Sequence, residues 1–297
     1  GETGQEIPLS AFLAKAWDAD LVVFGEIHGH PVGASYERFV LESLSSHPRP
    51  VALAMEFFER DQQPVLDAYL AGEKDKDAFL KETRRSKDYE KTHGPLVEWA
   101  KTRDQAVIAA NAPRRLVSGY RKSKEEHYAD YLASLTEEER AWLPAETSVI
   151  EDEYWKQFET LMGPKMAKPF FRSQSLWDDA MAESMARYRD ANPEHRILFI
   201  VGAFHVSGGF GTITKYLQRR PDDRVVVLAM STGTDAAIAF EDEDRGADDA
   251  LFELALHQSA ANRRMVSPTV THDPITITRS PGAASRRTPA WASGTLG

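Results

Sequence analysis

Apolar residues in this chain gather into short unbroken blocks separated by amphipathic stretches, and the polar side chains with chemistry in them stand where the blocks end. The blocks are Leu21-Val-Val-Phe-Gly25, Val51-Ala-Leu-Ala-Met55, Ala106-Val-Ile-Ala-Ala110, Ile197-Leu-Phe-Ile-Val201 and Val225-Val-Val-Leu-Ala-Met230. Runs of this length, rich in β-branched and aromatic residues, predict strands buried on both faces. Between the first two, Tyr36, Phe39, Val40 and Leu44 recur at helical spacing, which makes a strand-helix-strand unit with parallel pairing. Leu9, Phe12, Leu13 and Ala16 predict a short amphipathic helix over 9–19, and further helices are expected at Val65 to Phe79, around Leu96 to Lys101, and from about Ser173 to Asp190. The alternation predicts an α/β fold with a mostly parallel central sheet flanked by helices.

The rhythm breaks twice. Residues 115–172 carry charged helical segments with Tyr120, Tyr128, Tyr131, Trp142, Tyr154, Trp155, Phe158, Phe170 and Phe171 but no strand-like run. They are expected to form a helical insertion over the carboxyl edge of the sheet, either a satellite core burying its own aromatics or a lid and cofactor wall. The α/β domain is thus assigned to residues 1–230, and 231–297 to an acidic and low-complexity segment containing Glu241-Asp-Glu-Asp244. In that segment a short helix is expected from Asp248 to Ser259, followed by an extended or disordered tail rich in Ser, Thr, Pro and Gly.

Composition narrows the function. A chain of 297 residues that is 42% hydrophobic and 28% charged can bury a sizeable core. Its formal net charge of -10 argues against nucleic-acid binding, which draws on lysine- and arginine-rich surfaces, and leaves a small molecule or another protein as the expected partner. The absence of cysteine removes disulfides, thiolate metal sites and cysteine nucleophiles. No stretch approaches the roughly 18 consecutive apolar residues of a membrane span. Because the chain begins at Gly1 and not at methionine, an export leader or lipid anchor ahead of it is an expectation.

Two blocks end in the same phrase, Gly25-Glu-Ile-His28 and Gly202-Ala-Phe-His205. Parallel strands would deliver both histidines to the carboxyl edge, where open α/β sheets place their ligands. Extended geometry sends Glu26 and His28 to one side. The block after Val51 adds Glu56, and the block after Ala106 adds Asn111, with Arg114 and Arg115 beyond it. Two imidazoles and one or two carboxylates suit a divalent metal such as zinc or manganese, held by His28, His205 and Glu26, with Glu26 or Glu56 as catalytic base for hydrolysis. The plain alternative pairs Glu26 and Glu56 with Arg114 or Arg115 and leaves the histidines donating to carbonyls. On the helix after Ser173, Gln174, Trp177 and Asp178 share a stripe with Met181 and Met185, an unusual place for polar groups unless they face a cofactor or lie partly buried. Tyr89 and His93, beside a Gly-Pro turn, are candidate ligands for a metal or haem iron, or simply solvated loop residues. The run Val206-Ser-Gly-Gly-Phe-Gly-Thr212 is either an anion-binding helix start or a tight turn; without a following Gly-Lys-Ser/Thr it is not a P-loop.

Taken in order, Val-Phe-Gly-Glu-Ile-His28, Ala-Met-Glu-Phe-Phe-Glu-Arg-Asp-Gln-Gln-Pro64, Ala-Ala-Asn-Ala-Pro-Arg114, Gln-Ser-Leu-Trp-Asp-Asp-Ala-Met-Ala-Glu183 and Val-Gly-Ala-Phe-His205 resemble the ChaN-like family of bacterial haem-binding proteins. This belongs to a wider group with the Tiki proteases, TraB proteins and erythromycin-esterase-like enzymes. The resemblance runs from about Leu21 to Met230 and implies an α/β sheet with helical insertions. On the ChaN-like side it implies haem as cofactor or cargo and a part in iron acquisition at the bacterial envelope, periplasmic or as an outer-membrane lipoprotein. Arg114, Arg115 or lysines of the insertion would then meet the haem propionates. On the Tiki side it implies a metal-dependent hydrolase of a peptide or ester, using His28, His205 and Glu26 or Glu56. Partners expected are haem or a short peptide, with a homodimer and membrane anchoring as further expectations. One departure from the family pattern is His30, which follows His28 where an acidic turn is usual.

Overall fold

The computed structural model describes residues 5–7, 9–85, 88–123, 125, 127–231, 250–255 and 276–279. Its strands are β1 (Gln5–Ile7), β2 (Leu21–Glu26), β3 (Val51–Glu59), β4 (Val107–Asn111), β5 (Arg196–Gly202), β6 (Val225–Ser231), β7 (Ala250–Ala255) and β8 (Thr276–Arg279). The five predicted blocks are β2 to β6, and they pair in parallel in the order β6-β2-β5-β3-β4. Strand β5 enters late in the chain yet inserts between β2 and β3, so the carboxyl ends of β2, β5 and β3 stand side by side. The α/β class read from the alternation is the fold observed.

Both faces of this sheet are covered, which is why its strands read as unbroken apolar runs. Alternate residues divide between two cores. Val22, Phe24, Leu53, Met55, Leu198 and Ile200 pack against Phe12, Val40, Leu41, Leu44 and Trp99, from the helices Leu9–Asp18, Pro31–Ser45 and Gly94–Thr102. Leu21, Val23, Ala52, Ala54, Phe199 and Val201 pack against Met181, Met185, Ile213 and Tyr216, from the helices Pro164–Ala191 and Thr212–Arg219. At the amino edge Asp20 receives Arg49 at 2.6 Å and Arg189 at 3.0 Å, and Arg189 also pairs with Asp223 at 3.2 Å. The carboxyl edge carries the cavity.

The insertion buries its aromatics in two satellite cores. Tyr120, Tyr128 and Tyr131 gather with Leu116, Val117 and Leu143, and Tyr154, Phe158 and Phe171 with Ala167. Its last helix does not begin at Ser173 as expected. A single helix of 28 residues starts at Pro164 and runs through Pro169. Pro169 withdraws one hydrogen bond near the helix start, and the burial of Ala167 and Phe171 on either side holds the segment helical.

The segment after β6 departs further from expectation. Ala250–Ala255, predicted within a helix, is strand β7, parallel to β6, and β8 and β1 add antiparallel neighbours beyond it. A six-residue, largely apolar run does not distinguish helix from buried strand by periodicity, and the free edge of β6 decides in favour of the strand. Glu241–Asp244 and most of the predicted tail lie outside the described residues. Among the described residues no helix is long and apolar enough to cross a membrane.

Candidate functional site

Strand β2 ends on Glu26, a carboxylate only 4% exposed whose two oxygens are both occupied. His28 Nδ1 lies 2.9 Å from Oε1, and His93 Nε2 lies 2.8 Å from Oε2. A turn in which the His30 amide donates to the Ile27 carbonyl brings His28 back over Glu26. His93 stands just before the helix Gly94–Thr102, where any Cβ at Gly94 would stand 2.9 Å from the Tyr89 carbonyl oxygen. Beyond Met55 the register of β3 against β4 shifts, and Phe57 stacks on His93 at 3.7 Å between ring centres while meeting His28 edge-on at 5.6 Å. Burial opposes the charge on Glu26, but the bonds from His28 and His93 outweigh it and hold its pKa down to about 2. The bond to Glu26 in turn raises His28 above the ordinary histidine value, against partial burial.

The second Gly-x-x-His is built differently. Glu56 Oε2 accepts from the Gly202 amide at 2.6 Å, and Oε1 faces His205 Nε2 at 3.6 Å. His205 Nδ1 donates to Asp178 Oδ1 at 2.7 Å, and Asp178, with no exposed surface, also accepts from the hydroxyls of Thr212 at 2.8 Å and Tyr154 at 3.1 Å. Gln174 Nε2 lies 2.9 Å from the same imidazole nitrogen and donates to the Tyr154 oxygen at 2.7 Å. Burial pulls the His205 pKa down, yet Glu56 and Asp178 outweigh it and push it up to about 9. The two motifs meet at Gly202, where a Cβ would stand 3.0 Å from His28 Nε2 and 3.4 Å from Glu56 Oε2. His28 and His205 therefore both border Glu56.

Below these groups opens a cavity of about 890 Å³ whose wall includes Glu26, His28, Glu56, Phe57, Arg114 and Trp177. Four arginines border it. Arg85 donates to the carbonyl oxygens of Thr83 and Phe57, and Arg115 pairs with Glu139 at 2.6 Å. Arg84 and Arg114 are exposed and have no side-chain ion pair among the described residues; the Arg114 guanidinium lies 5.8 Å from the centre of the Trp177 ring. Asn111 also lines the cavity and accepts from the Ala112 amide at 2.9 Å.

The predicted residues thus fall into three places. Glu26, His28, Glu56, His93, Arg114 and Trp177 reach the cavity wall. Tyr89 reaches it too, but its ring packs with Phe58 and Phe79 and burial drives its phenol far above the usual range. Gln174 and Asp178 stand behind His205 and away from the cavity, so the polar stripe they form supports an imidazole. Among the described residues Glu26 and Glu56 pair with histidines and not with arginine, contrary to the plain alternative. The glycine run is a tight turn: Gly208 and Gly211 have positive φ, and a Cβ at Gly211 would stand 2.5 Å from the His205 carbonyl oxygen.

Among the described residues, the histidine and carboxylate ligand atoms that converge within 4.8 Å belong to Glu26, Glu37 and His93. Sequence reasoning passed over Glu37. Its signal was present, because Glu37 sits three, four and seven residues before Val40, Leu41 and Leu44, in the buried stripe of its helix. Burial, and then Glu26 beside it, push the Glu37 pKa up to about 9.

Fold and site together define an α/β protein with a carboxylate-histidine site over a ligand-sized cavity at the carboxyl edge of its sheet, covered on one side by inserted helices. The chain belongs to the family described as "Haem-binding uptake, Tiki superfamily, ChaN", which it matches over residues 12–216. Among solved structures, ChaN of Campylobacter jejuni, described with cofacial haem binding, superposes with a TM-score of 0.57 at 18% identity, over 77% of this chain and 88% of that one. The type III effector HopBA1 is more remote, with a TM-score of 0.43 at 14% identity, over 84% of this chain and 92% of that one. A mutant of the erythromycin esterase EreC, in its open conformation, has a TM-score of 0.43 at 12% identity, over 94% of this chain and 79% of that one. No curated protein matches the chain.

Proposed function

We propose that this chain binds haem, or a closely similar iron compound, in the carboxyl-edge cavity, and that it serves iron acquisition at the bacterial envelope. The observation that carries the reading is one wall: Phe57 and Trp177 offer aromatic surface, Arg84 and Arg114 exposed cations, and His28 an imidazole whose other nitrogen is held by Glu26, around about 890 Å³. That volume lies within the range of clefts that enclose drug-sized ligands. A planar macrocycle with two carboxylates and an iron needs those three kinds of partner. His28 would hold the iron, with Glu26 as the outer partner that fixes its ring. Arg84 and Arg114 would meet the propionates. Bound haem would supply the iron that such a protein carries. The family to which the chain belongs supports the reading. Titration of the full chain with haemin should give a saturable Soret shift at one haem per site, lost in His28→Ala and weakened about tenfold in the Arg84→Ala/Arg114→Ala variant. A spectrum indistinguishable from free haemin would sink it.

A second reading, hydrolysis of a peptide or ester, is favoured by one further observation. Asp178 holds His205 against Glu56, and an imidazole fixed by a buried carboxylate is an arrangement suited to general acid-base work. With its pKa near 9, His205 would be charged at neutral pH and would act as the acid. Turnover of an ester panel that disappears in His205→Gln would support it; equal turnover in that variant would count against it.

A further inference from the structure

The carboxyl of Glu37 is the group the site leaves unexplained. It projects from the helix Pro31–Ser45 with 1% of its surface exposed, and its Oε2 meets no hydrogen-bond donor among the described residues. Its neighbour is another carboxylate, Glu26, whose oxygens already accept from His28 and His93. Two carboxyl groups buried in contact require a positive charge between them, because an uncompensated buried anion is strongly destabilising. That charge is either a proton or a metal cation.

A proton accounts for the pair and a hydrogen bond to Glu26 for His93, but neither explains why three ligand groups from separate elements are gathered in one place. One ligand atom each from Glu26, Glu37 and His93 lie within 4.8 Å of one another, supplied by the end of β2, the middle of one helix and the start of another. One imidazole and two carboxylates make a nitrogen-and-oxygen donor set for a first-row divalent ion. Glu26 and His93 form part of the cavity wall, which would give an ion a way in. The outer partners are in place as well: His28 holds the second oxygen of Glu26, and Phe57 stacks on the His93 ring. We infer that Glu26, Glu37 and His93 form a site for one divalent ion, manganese or zinc, beside the cavity. The ion would replace the proton between the carboxylates and the hydrogen bond between His93 and Glu26, and any protons on Glu37 and His93 would leave to solvent. Neither His28 nor His205 is a ligand in this arrangement. The inference does not rest on haem binding.

The test uses the full chain, stripped with a chelator and titrated calorimetrically with Mn²⁺ and, separately, Zn²⁺, with bound metal counted by elemental analysis after desalting. One ion per chain is expected. Glu37→Gln keeps the shape and can donate to Glu26, but it removes a ligand; its affinity should fall by more than the roughly 10–100-fold that outer partners are worth. His205→Gln should bind as the parent does. If Glu37→Gln fails to fold, judged by circular dichroism, His93→Gln makes the same test. Failure of the folded chain to bind either ion stoichiometrically, or unchanged affinity in the folded ligand variant, overturns the inference and leaves a proton between the carboxylates. Haemin titration of the same variants reads the haem site separately, so the two readings fail independently.

Discussion

The two Gly-x-x-His motifs end neighbouring strands of one sheet and reach the same glutamate, yet their histidines live in different surroundings. The His28 side chain is 63% exposed and has one hydrogen-bond partner among the described residues, Glu26. The His205 side chain is 11% exposed and is locked by Asp178, which also gathers Tyr154 and Thr212. The motif therefore fixes where an imidazole arrives, and the layer behind it fixes what the imidazole can do. His28 is free to meet a ligand in the cavity. His205 is held in one orientation, with its Nδ1 bonded to Asp178 and its Nε2 turned to Glu56.

The largest effect should come from the caged side. Asp178→Ala would strand two buried hydroxyl donors and an imidazolium, and loss of one partner of a buried charged pair costs about 3–5 kcal/mol. Glu26→Ala should cost about 1–3 kcal/mol, because exposed His28 regains water and the loss of a buried acceptor falls on His93 and Glu37. Denaturant unfolding of both variants measures the difference. Equal losses would show that the two sites are equally closed.

What the sequence could show follows the same division. Strands β2 to β6 were legible because covered sheets demand unbroken apolar blocks, and Glu26, His28, Glu56 and His205 were legible because they stand where those blocks stop. The support of His205 was half legible: Gln174 and Asp178 interrupt an otherwise apolar stripe, but nothing in the spacing distinguishes a cofactor wall from a bracket for a histidine. Glu37 left the same trace in its own helix and was missed because a single acid in a stripe is easily taken for a partly exposed position. Strands β1, β7 and β8 could not be read, since three to six residues carry no decisive period and their pairing is settled by the free edge of the sheet, which no local window shows.

The next effect is on pH dependence. The His205 pKa rises from about 6.5 in the unfolded chain to about 9 in the folded one. A raised basic group stabilises fully below its unfolded pKa, and that contribution is lost as pH climbs through the folded value. A shift of this size is worth about 3 kcal/mol. Glu37, also raised to about 9, adds to the same alkaline limb, so the comparison belongs in a Glu37→Gln background with chelator present. There the fall in stability between about pH 6.5 and 9 should be present with His205 and absent with His205→Gln. Exposed His28, replaced by alanine in the same background, should leave that limb in place. A limb of equal depth in all three proteins would assign it to other groups.

Paired glycines make the finest comparison. At Gly211 the backbone is left-handed, and a Cβ would stand 2.5 Å from the His205 carbonyl oxygen and 3.0 Å from the Tyr154 ring, atoms with nowhere to go. Gly211→Ala should therefore cost about 2 kcal/mol from strain and overpacking. At Gly202 the close neighbours are the tip of the His28 ring, at 2.9 and 3.0 Å, and that ring is exposed enough to swing outward. Gly202→Ala should cost less than about 1 kcal/mol, yet it should move His28 off Glu26. Thermal melts report the first quantity, and the His28 ring resonances in a histidine-detected NMR spectrum report the second. A large stability loss at Gly202 with His28 unmoved would mean that the open histidine is as firmly held as the caged one, and the contrast between the two motifs would fail.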